Sequence, residues 1–211
     1  MDTSEAAERA REARREIGGR RDELLFAAEH CFAQDGYDRT TAASITARAS
    51  TSRPTFYAYF ASKDEVFHAL TARASDALVA AQLVVDVEAV APHDVLEATT
   101  RAFVEALFEH APLLALVEHR ARIDPVVDRL WTGARDITRR RFTRFLERLA
   151  AEGAADPCVP AARIVDTVAD ALTIGAARIA GTSAAERERF IADHIIITER
   201  LVGVSPRTEE L

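Results

Sequence analysis

The residues best suited to chemistry in this sequence lie in one short segment, Ser52 to Phe60, which reads Ser-Arg-Pro-Thr-Phe-Tyr-Ala-Tyr-Phe. Phe56 and Phe60 are four residues apart, so on a helix they point to the same side and can be buried together. The opposite face then presents Arg53, Pro54, Thr55, Tyr57, Ala58 and Tyr59. Short polar and flat side chains of this kind can meet base edges and phosphates in a DNA groove. The segment therefore predicts a DNA-reading helix, whereas half-buried packing is the alternative role for the two tyrosines.

The charge distribution favours the same interpretation. The chain of 211 residues is acidic, with a net charge of −7, which by itself argues weakly against nucleic-acid binding. From Arg39 to Lys63, however, there are four basic residues and no Asp or Glu. A surface kept free of acids in an acidic protein is expected beside phosphate. Chance, or packing of this segment, is the competing explanation.

The elements that must position this helix are also visible in the sequence. A first helix is predicted from Arg20 to Gln34, with apolar residues at helical spacing, and Gly36 follows it in a left-handed conformation. Thr40 or Thr41 can cap a second helix that ends near Ala49. Ser52 can cap the third, with Pro54 in its first turn. Two short helices joined by a tight turn and braced by a preceding helix describe a helix-turn-helix unit.

At this point the residues resemble a known family. Leu24 to Phe67 is similar to the N-terminal domain of TetR-family repressors, through fixed spacing of mixed residue types: Leu24, Ala27, Ala28, Phe32, Gly36, Tyr37, Thr41, Ile45, Ala49, Ser52, Pro54, Thr55, Tyr57, Phe60, Ser62, Lys63 and Phe67. The resemblance implies a DNA-binding transcriptional regulator, a repressor by family default. It also implies phosphate contacts from Thr41, Tyr57 and Lys63, base-edge contacts from Arg53, Pro54 and Thr55, and Tyr59 at the groove edge. Ser52 is counted with these DNA-facing residues.

Two residues depart from the family pattern. The turn carries Ser50 and Thr51 where the family usually has Gly and a branched apolar residue, so Ser50 is expected to adopt the left-handed conformation at a cost of about 1 kcal/mol. Thr46 stands where a small apolar residue is usual. Both changes predict a less stable domain and remove no DNA-facing group.

The rest of the chain predicts an all-α fold of about nine helices. A fourth helix is expected from Lys63 to about Val85, and five more over 92–110, 112–122, 125–152, 160–181 and 183–202, with prolines or serines at their starts. The predicted organisation is a charged arm over 1–19 that Gly18 and Gly19 interrupt, a helix-turn-helix domain over 20–66, an effector-binding and dimerisation domain over 67–205, and a tail over 206–211.

A ligand cavity inside the larger domain would give a regulator its switch. The candidate ligand-binding residues are Phe103, Leu107, His119, Trp131 and Phe142, and a small apolar or aromatic effector is favoured. Ordinary core packing explains the same apolar spacing.

The last two predicted helices suggest a homodimer. Three consecutive isoleucines, Ile195 to Ile197, cover more of a helix than one core can bury, and a two-fold interface would absorb that surface. The candidate interface residues are Ile164, Val168, Leu172, Gly175, Ile179, Ile191, Ile195 and Leu201. The expected partners are operator DNA, a small effector and a second copy of the chain.

Other functions fit less well. A di-iron helix bundle needs two Glu-x-x-His turns, and only Glu65 to His68 has that spacing, so no metal, cofactor or enzymatic activity is predicted. Cys31 lies on the apolar stripe of the first helix, while Cys158 is the better candidate for a reactive thiol. Without a signal peptide or membrane span, the cytoplasm is the expected location. The main alternative is a helical ligand-binding protein whose DNA unit has decayed.

Overall fold

The computed structural model of the protein describes residues 3–84 and 90–204, with side chains from residue 19 onward. These residues form eight α-helices, one short 3-10 turn at Ala81–Leu83 and a single β-bridge between Ala155 and Val204. The helices are α1 (Thr3–Arg39), α2 (Ala42–Arg48), α3 (Arg53–Tyr59), α4 (Lys63–Ala80), α5 (Pro92–Ala121), α6 (Pro125–Ala151), α7 (Ala161–Ile179) and α8 (Ala184–Val202). The predicted tail and the predicted helix end at Val85 lie outside the described residues.

The chain divides into two compact units, Met1–Thr71 and Ala72–Leu211. The division falls within α4, close to the domain boundary predicted after residue 66. Among the described residues, no helix is long and apolar enough to cross a membrane.

Helix α1 is longer than predicted. Gly18 and Gly19 were expected to interrupt it, but the helix is continuous through both, because each glycine costs only about 1 kcal/mol and good helix formers flank the pair. The interruption comes at Gly36, whose φ of 76° and ψ of 172° lie in a region that essentially only glycine adopts. The left-handed conformation predicted at this residue is met in the sign of φ but not in ψ.

The predicted break at Pro112 is wrong, which reduces the number of helices from nine to eight. Pro112 lies inside α5, where it removes one backbone hydrogen bond. The residue is exposed, while Ala111, Leu113 and Leu114 beside it are buried. Packing on both sides of the proline therefore holds the two predicted helices in one continuous element.

The core of the first unit is aromatic. Phe32, Phe56, Phe60 and Phe67 are all at most 2% exposed, and the rings of Phe32 and Phe67 meet edge to face with centroids 5.1 Å apart. The predicted inward direction of Phe56 and Phe60 is thus confirmed. Cys31 belongs to the same core, as expected, and burial raises the pKa of its thiol.

The second unit is arranged around α5, which packs against α6, α7 and α8, while α7 also packs against α6 and α8. Leu96, Val104, Val117, Val127 and Leu146 are fully buried between these helices. Ser183 caps α8 as predicted, its hydroxyl accepting from the Glu186 N–H at 3.2 Å.

Candidate DNA-binding site and ligand cavity

The second helix begins at a double cap. The Thr41 hydroxyl accepts from the Ser44 N–H at 3.1 Å, and the Ser44 hydroxyl accepts from the Thr41 N–H at 2.9 Å. This reciprocal arrangement satisfies two backbone donors that a helix start leaves unpaired. It confirms Thr41 as the capping residue and leaves its side chain exposed at the helix start.

The third helix begins at Ser52, whose hydroxyl accepts from the Thr55 N–H at 3.2 Å and lies 2.8 Å from the Thr55 hydroxyl. Pro54 occupies the first turn, where its missing N–H costs nothing. Both predictions are confirmed. The bonded hydroxyls fix the helix start.

The outward face of α3 carries the side chains predicted to read DNA. Arg53, Pro54 and Ala58 are exposed, and Tyr57 is 57% exposed. Thr55 and Tyr59 are half-buried. The Tyr57 ring meets the Phe56 ring edge to face, with centroids 5.3 Å apart, and more than half of the Tyr57 side chain is left accessible to a partner.

The turn between the two helices has the conformation expected from its sequence. Ser50 has a φ of 50° and is the one non-glycine residue with a positive φ in the described part of the chain. The Thr51 N–H donates to the Thr46 carbonyl at 3.0 Å, and the buried Thr46 hydroxyl donates to the Ala43 carbonyl at 3.1 Å. The two departures from the family pattern are therefore accommodated inside the helix-turn-helix geometry.

Lys63 has a position that the sequence did not indicate. Its ammonium group donates to the carbonyls of Tyr37 at 2.8 Å, Thr40 at 3.0 Å and Asp38 at 3.3 Å. It also lies 4.5 Å from the centroid of the Tyr37 ring, within cation–π range. An ammonium group has three donors, so all three are used inside the unit, and none is left over for the predicted phosphate contact.

Tyr37 completes this connection. Its hydroxyl donates to the Asp64 carboxylate, and its ring stacks on Phe32 with centroids 5.6 Å apart. Lys63 and Asp64 at the start of α4 thus hold the segment between α1 and α2.

The second unit contains a cavity of about 430 Å³ between the end of α4, α5, α6 and α7. Of the predicted ligand-binding residues, Phe103, Trp131 and Phe142 line it together. Leu107 lies instead in a separate groove of about 350 Å³ between α5 and α7. His119 is exposed and lines neither.

Charged residues border the cavity in pairs. Arg139 Nε donates to Asp166 at 2.5 Å, and Arg135 donates to Asp170 at 3.1 Å, so both pairs join α6 to α7. The hydrogen bond from Arg139 lowers the pKa of the Asp166 carboxyl below its ordinary value. All four side chains are roughly half exposed, and such pairs contribute little to stability.

Most of the residues predicted to form the dimer interface are buried within one chain. Ile164, Val168, Leu172, Ile191 and Ile195 are at most 8% exposed, and Gly175 is also buried. They pack within one chain, as the space above Gly175 illustrates: a methyl group there would lie 2.5 Å from Phe190 Cε2. Ile179 and Leu201 are half-buried. The exposed isoleucines of α7 and α8 are Ile174, Ile196 and Ile197, at 58%, 55% and 48%.

Among the described residues, no group of three or more His, Cys, Asp and Glu side chains is arranged to hold a metal ion. Glu65 of the isolated Glu-x-x-His turn instead accepts from the Ala61 N–H at 2.6 Å.

The two units define a helix-turn-helix domain followed by a helical domain with an internal cavity, which is the architecture of a one-component transcriptional regulator. Residues 24–70 match the family model described as bacterial regulatory proteins, tetR family. The match covers the helix-turn-helix unit, so this part of the chain is similar to the DNA-binding domain of that family of transcriptional regulators.

Solved structures with the same fold cover almost the whole chain. A tetR-family regulatory protein from Rhodococcus RHA1 is 21% identical with a TM-score of 0.72, over 89% of this chain and 98% of that one. The ketosteroid transcriptional regulator KstR2 of Mycobacterium tuberculosis is 21% identical with a TM-score of 0.72, over 88% and 96%. Salmonella enterica GusR is 19% identical with a TM-score of 0.66, over 87% and 95%. No curated protein sequence matches significantly.

Proposed function

We propose that the protein is a cytoplasmic repressor that binds a palindromic operator as a homodimer and is released by a small apolar or aromatic effector. The observation that carries this proposal is the outward face of α3, where Arg53, Pro54 and Tyr57 are exposed within a segment free of acidic residues. Such a face suits the major groove of DNA.

Each exposed group has a role that follows from its chemistry. Arg53 offers a planar fork of donors that matches the acceptors of guanine, while Pro54 and Thr55 present apolar and hydroxyl groups to neighbouring base edges. Thr41 and Tyr57 contact phosphates, and Tyr59 lies at the groove edge. These phosphate contacts set the register of the helix on the duplex.

A second copy of the chain is needed to read a palindrome, because two recognition helices must lie about 34 Å apart. The exposed Ile174 of α7, with Ile196 and Ile197 of α8, supplies apolar surface that a monomer leaves in water. Pairing this surface around a two-fold axis would bury it. TetR-family regulators act as dimers, which agrees with this assignment.

The cavity provides the switch. Leu78 near the end of α4 and the aromatic side chains of α5 and α6 line it, so a bound effector would bias the position of α4. Because α4 begins next to the helix-turn-helix, its pivoting would change the spacing of the two recognition helices. The effector releases DNA to the extent that it favours the state with the wrong spacing.

The test is an electrophoretic binding assay with the full chain and the DNA that flanks its own gene, at a stated salt concentration. The variant Arg53→Ala, Tyr57→Ala alters two exposed residues of α3, and the variant Arg140→Ala, Arg141→Ala removes exposed arginines of α6. We expect a tight shift for the native protein and the α6 variant, and loss of at least about tenfold in affinity for the α3 variant.

A shift that survives in the α3 variant would contradict the assigned DNA face. If neither flanking DNA nor a random-sequence pool is bound, the alternative of a ligand-binding protein with a decayed DNA unit is supported. The positive φ of Ser50 in the turn is the structural feature that favours that alternative.

A further inference from the structure

We propose that the cavity in the second unit takes an electrically neutral, largely apolar molecule, and that Asp166 and Asp170 determine this preference by holding the two arginines beside the cavity. The inference rests on the proposed function, in which this cavity is the effector site. It specifies the charge of the effector and names the residues that select it.

The walls of the cavity are mainly aromatic and aliphatic. Trp131 is 6% exposed, and Phe103, Phe142, Val168 and Leu172 also line the space. A volume of about 430 Å³ is within the range for drug-sized ligands. Burial of apolar ligand surface against these walls is favourable, whereas a charged group that enters without a partner loses its hydration at a large cost.

Apart from the paired charges described below, the polar side chains of the walls are uncharged. The Thr99 hydroxyl donates to the Val95 carbonyl at 2.6 Å, and the Thr138 hydroxyl donates to the Arg135 carbonyl at 2.9 Å. Each hydroxyl already uses its one proton in this hydrogen bond, but its oxygen can still accept another. These two hydroxyls can therefore accept from a ligand hydroxyl or N–H, and the side chains of Gln82, Thr100 and Thr173 add neutral hydrogen-bonding groups to the same walls.

The charged groups at the cavity are all paired. Arg139 and Arg135 bind Asp166 and Asp170, and Asp136 lies 3.6 Å from Arg140. An incoming carboxylate or ammonium would meet ion pairs whose charges are already balanced, so it would gain little net attraction there while it loses its hydration. A neutral ligand avoids that cost.

Two dyes that differ by one charge provide a direct test: anilinonaphthalene, which is neutral, and its sulfonate, which is an anion. Both fluoresce more strongly in apolar surroundings. Trp131 is the only tryptophan, so energy transfer from it reports binding in the neighbourhood of this residue, and the filling variants below locate the site. We expect the full-length protein to bind the neutral dye at least about tenfold more tightly than the sulfonate.

Charge variants then test the selecting residues. Asp166→Asn leaves Arg139 without its carboxylate, and we expect the affinity for the sulfonate to rise about tenfold while that for the neutral dye stays within about twofold. Asp193→Asn is the matched control, because Asp193 is an exposed residue of α8 that does not line the cavity and its loss changes the net charge equally. This control should change neither affinity.

Location is tested by filling the cavity. Ala169 lines it, while Ala171 on the same helix is exposed and does not. Ala169→Phe should lower the affinity for the neutral dye at least about tenfold, and Ala171→Phe should leave that affinity unchanged.

Equal or tighter binding of the sulfonate by the native protein, with energy transfer from Trp131, would overturn the proposal. An Asp166→Asn variant that keeps the native preference for the neutral dye would also overturn it. So would a neutral dye that binds Ala169→Phe as tightly as it binds Ala171→Phe. Failure of the proposed function has a different signature: the dye affinities follow the expected pattern, but the protein binds no operator DNA.

Discussion

At the scale of single residues, the ammonium group of Lys63 joins the start of α4 to the segment between α1 and α2. Three carbonyls within 3.3 Å accept from it, and two of these belong to residues that close the end of α1. A lysine that binds DNA phosphate changes affinity through charge, whereas a lysine bonded in this way acts by positioning the helix-turn-helix. The two roles can be separated by experiment.

Lys63→Met keeps the aliphatic stem and removes the ammonium group. We expect the free energy of unfolding to fall by about 1–3 kcal/mol, because three carbonyls lose a charged donor. Urea denaturation of the full chain measures this change, with Arg48→Met as the control for loss of an exposed cation in the same unit. The slope of DNA affinity against salt should stay as in the native protein, whereas a slope reduced by about one with unchanged stability would instead identify a phosphate contact.

Ser50 stores conformational strain in the turn. Its φ of 50° costs a serine about 1 kcal/mol more than a glycine, so Ser50→Gly should raise the free energy of unfolding by about that amount. Ala49 has a φ of −77°, and Ala49→Gly, which offers no relief at a negative φ, should not stabilise the protein. Equal effects of the two substitutions in thermal or urea unfolding would show that the turn is not strained.

The two residues show what a sequence can predict at this scale. The conformation of Ser50 followed from its place in a turn between two capped helices, since the backbone path there permits few alternatives. The role of Lys63 did not follow, because the segment that accepts its hydrogen bonds is more than twenty residues away in sequence. A charged residue at a helix start indicates an electrostatic role and says nothing about which acceptor it finds.

At the scale of elements, caps were predictable and one helix break was not. Thr41, Ser52 and Ser183 cap their helices as expected, because a cap depends on residues within one turn. Pro112 was expected to end a helix, but the burial of its neighbours in a bundle holds α5 together. That packing energy comes from α6, α7 and α8 and cannot be read from the local sequence.

Pro112→Ala should therefore stabilise the second unit. The change restores a helical hydrogen bond and relieves the ring clash, worth about 3 kcal/mol in a helix interior, while the unfolded chain regains up to about 1 kcal/mol of entropy. We expect a net gain of about 2 kcal/mol, measured as a higher urea midpoint at unchanged slope. A loss of stability would mean that α5 requires the irregularity at this point.

Helices α7 and α8 show the limit of periodicity. Ile164, Val168 and Leu172 recur at helical spacing, and the same spacing describes a stripe packed within the chain or one packed against a partner. The structure buries this stripe inside the protomer. The run Ile195 to Ile197 did carry information, because a helix cannot turn three consecutive side chains inward, and Ile196 and Ile197 remain exposed.

For the whole molecule, the two units divide the work of a regulator. The first carries the side chains proposed to face DNA on a small aromatic core, and its helices and caps were predicted from local patterns, whereas the contacts of Lys63 with residues 37–40 were not. The second contains a cavity whose existence was expected, but the pairing of Arg135 and Arg139 with aspartates of α7 emerged only from the packing of two helices.

The proposed dimer can be tested by placing charges on the exposed isoleucines of α7 and α8. Ile174→Asp combined with Ile197→Asp puts two carboxylates into the proposed two-fold surface, so the protein should become monomeric by sedimentation while remaining folded. Ile123 and Ile137 are also exposed, at 66% and 46%, and the control Ile123→Asp, Ile137→Asp should remain dimeric. Because linked recognition helices gain affinity through effective concentration, the monomer should bind a full operator at least about a hundredfold more weakly. If the first variant stays dimeric and the control becomes monomeric, the interface lies around Ile123 and Ile137 and not on α7 and α8.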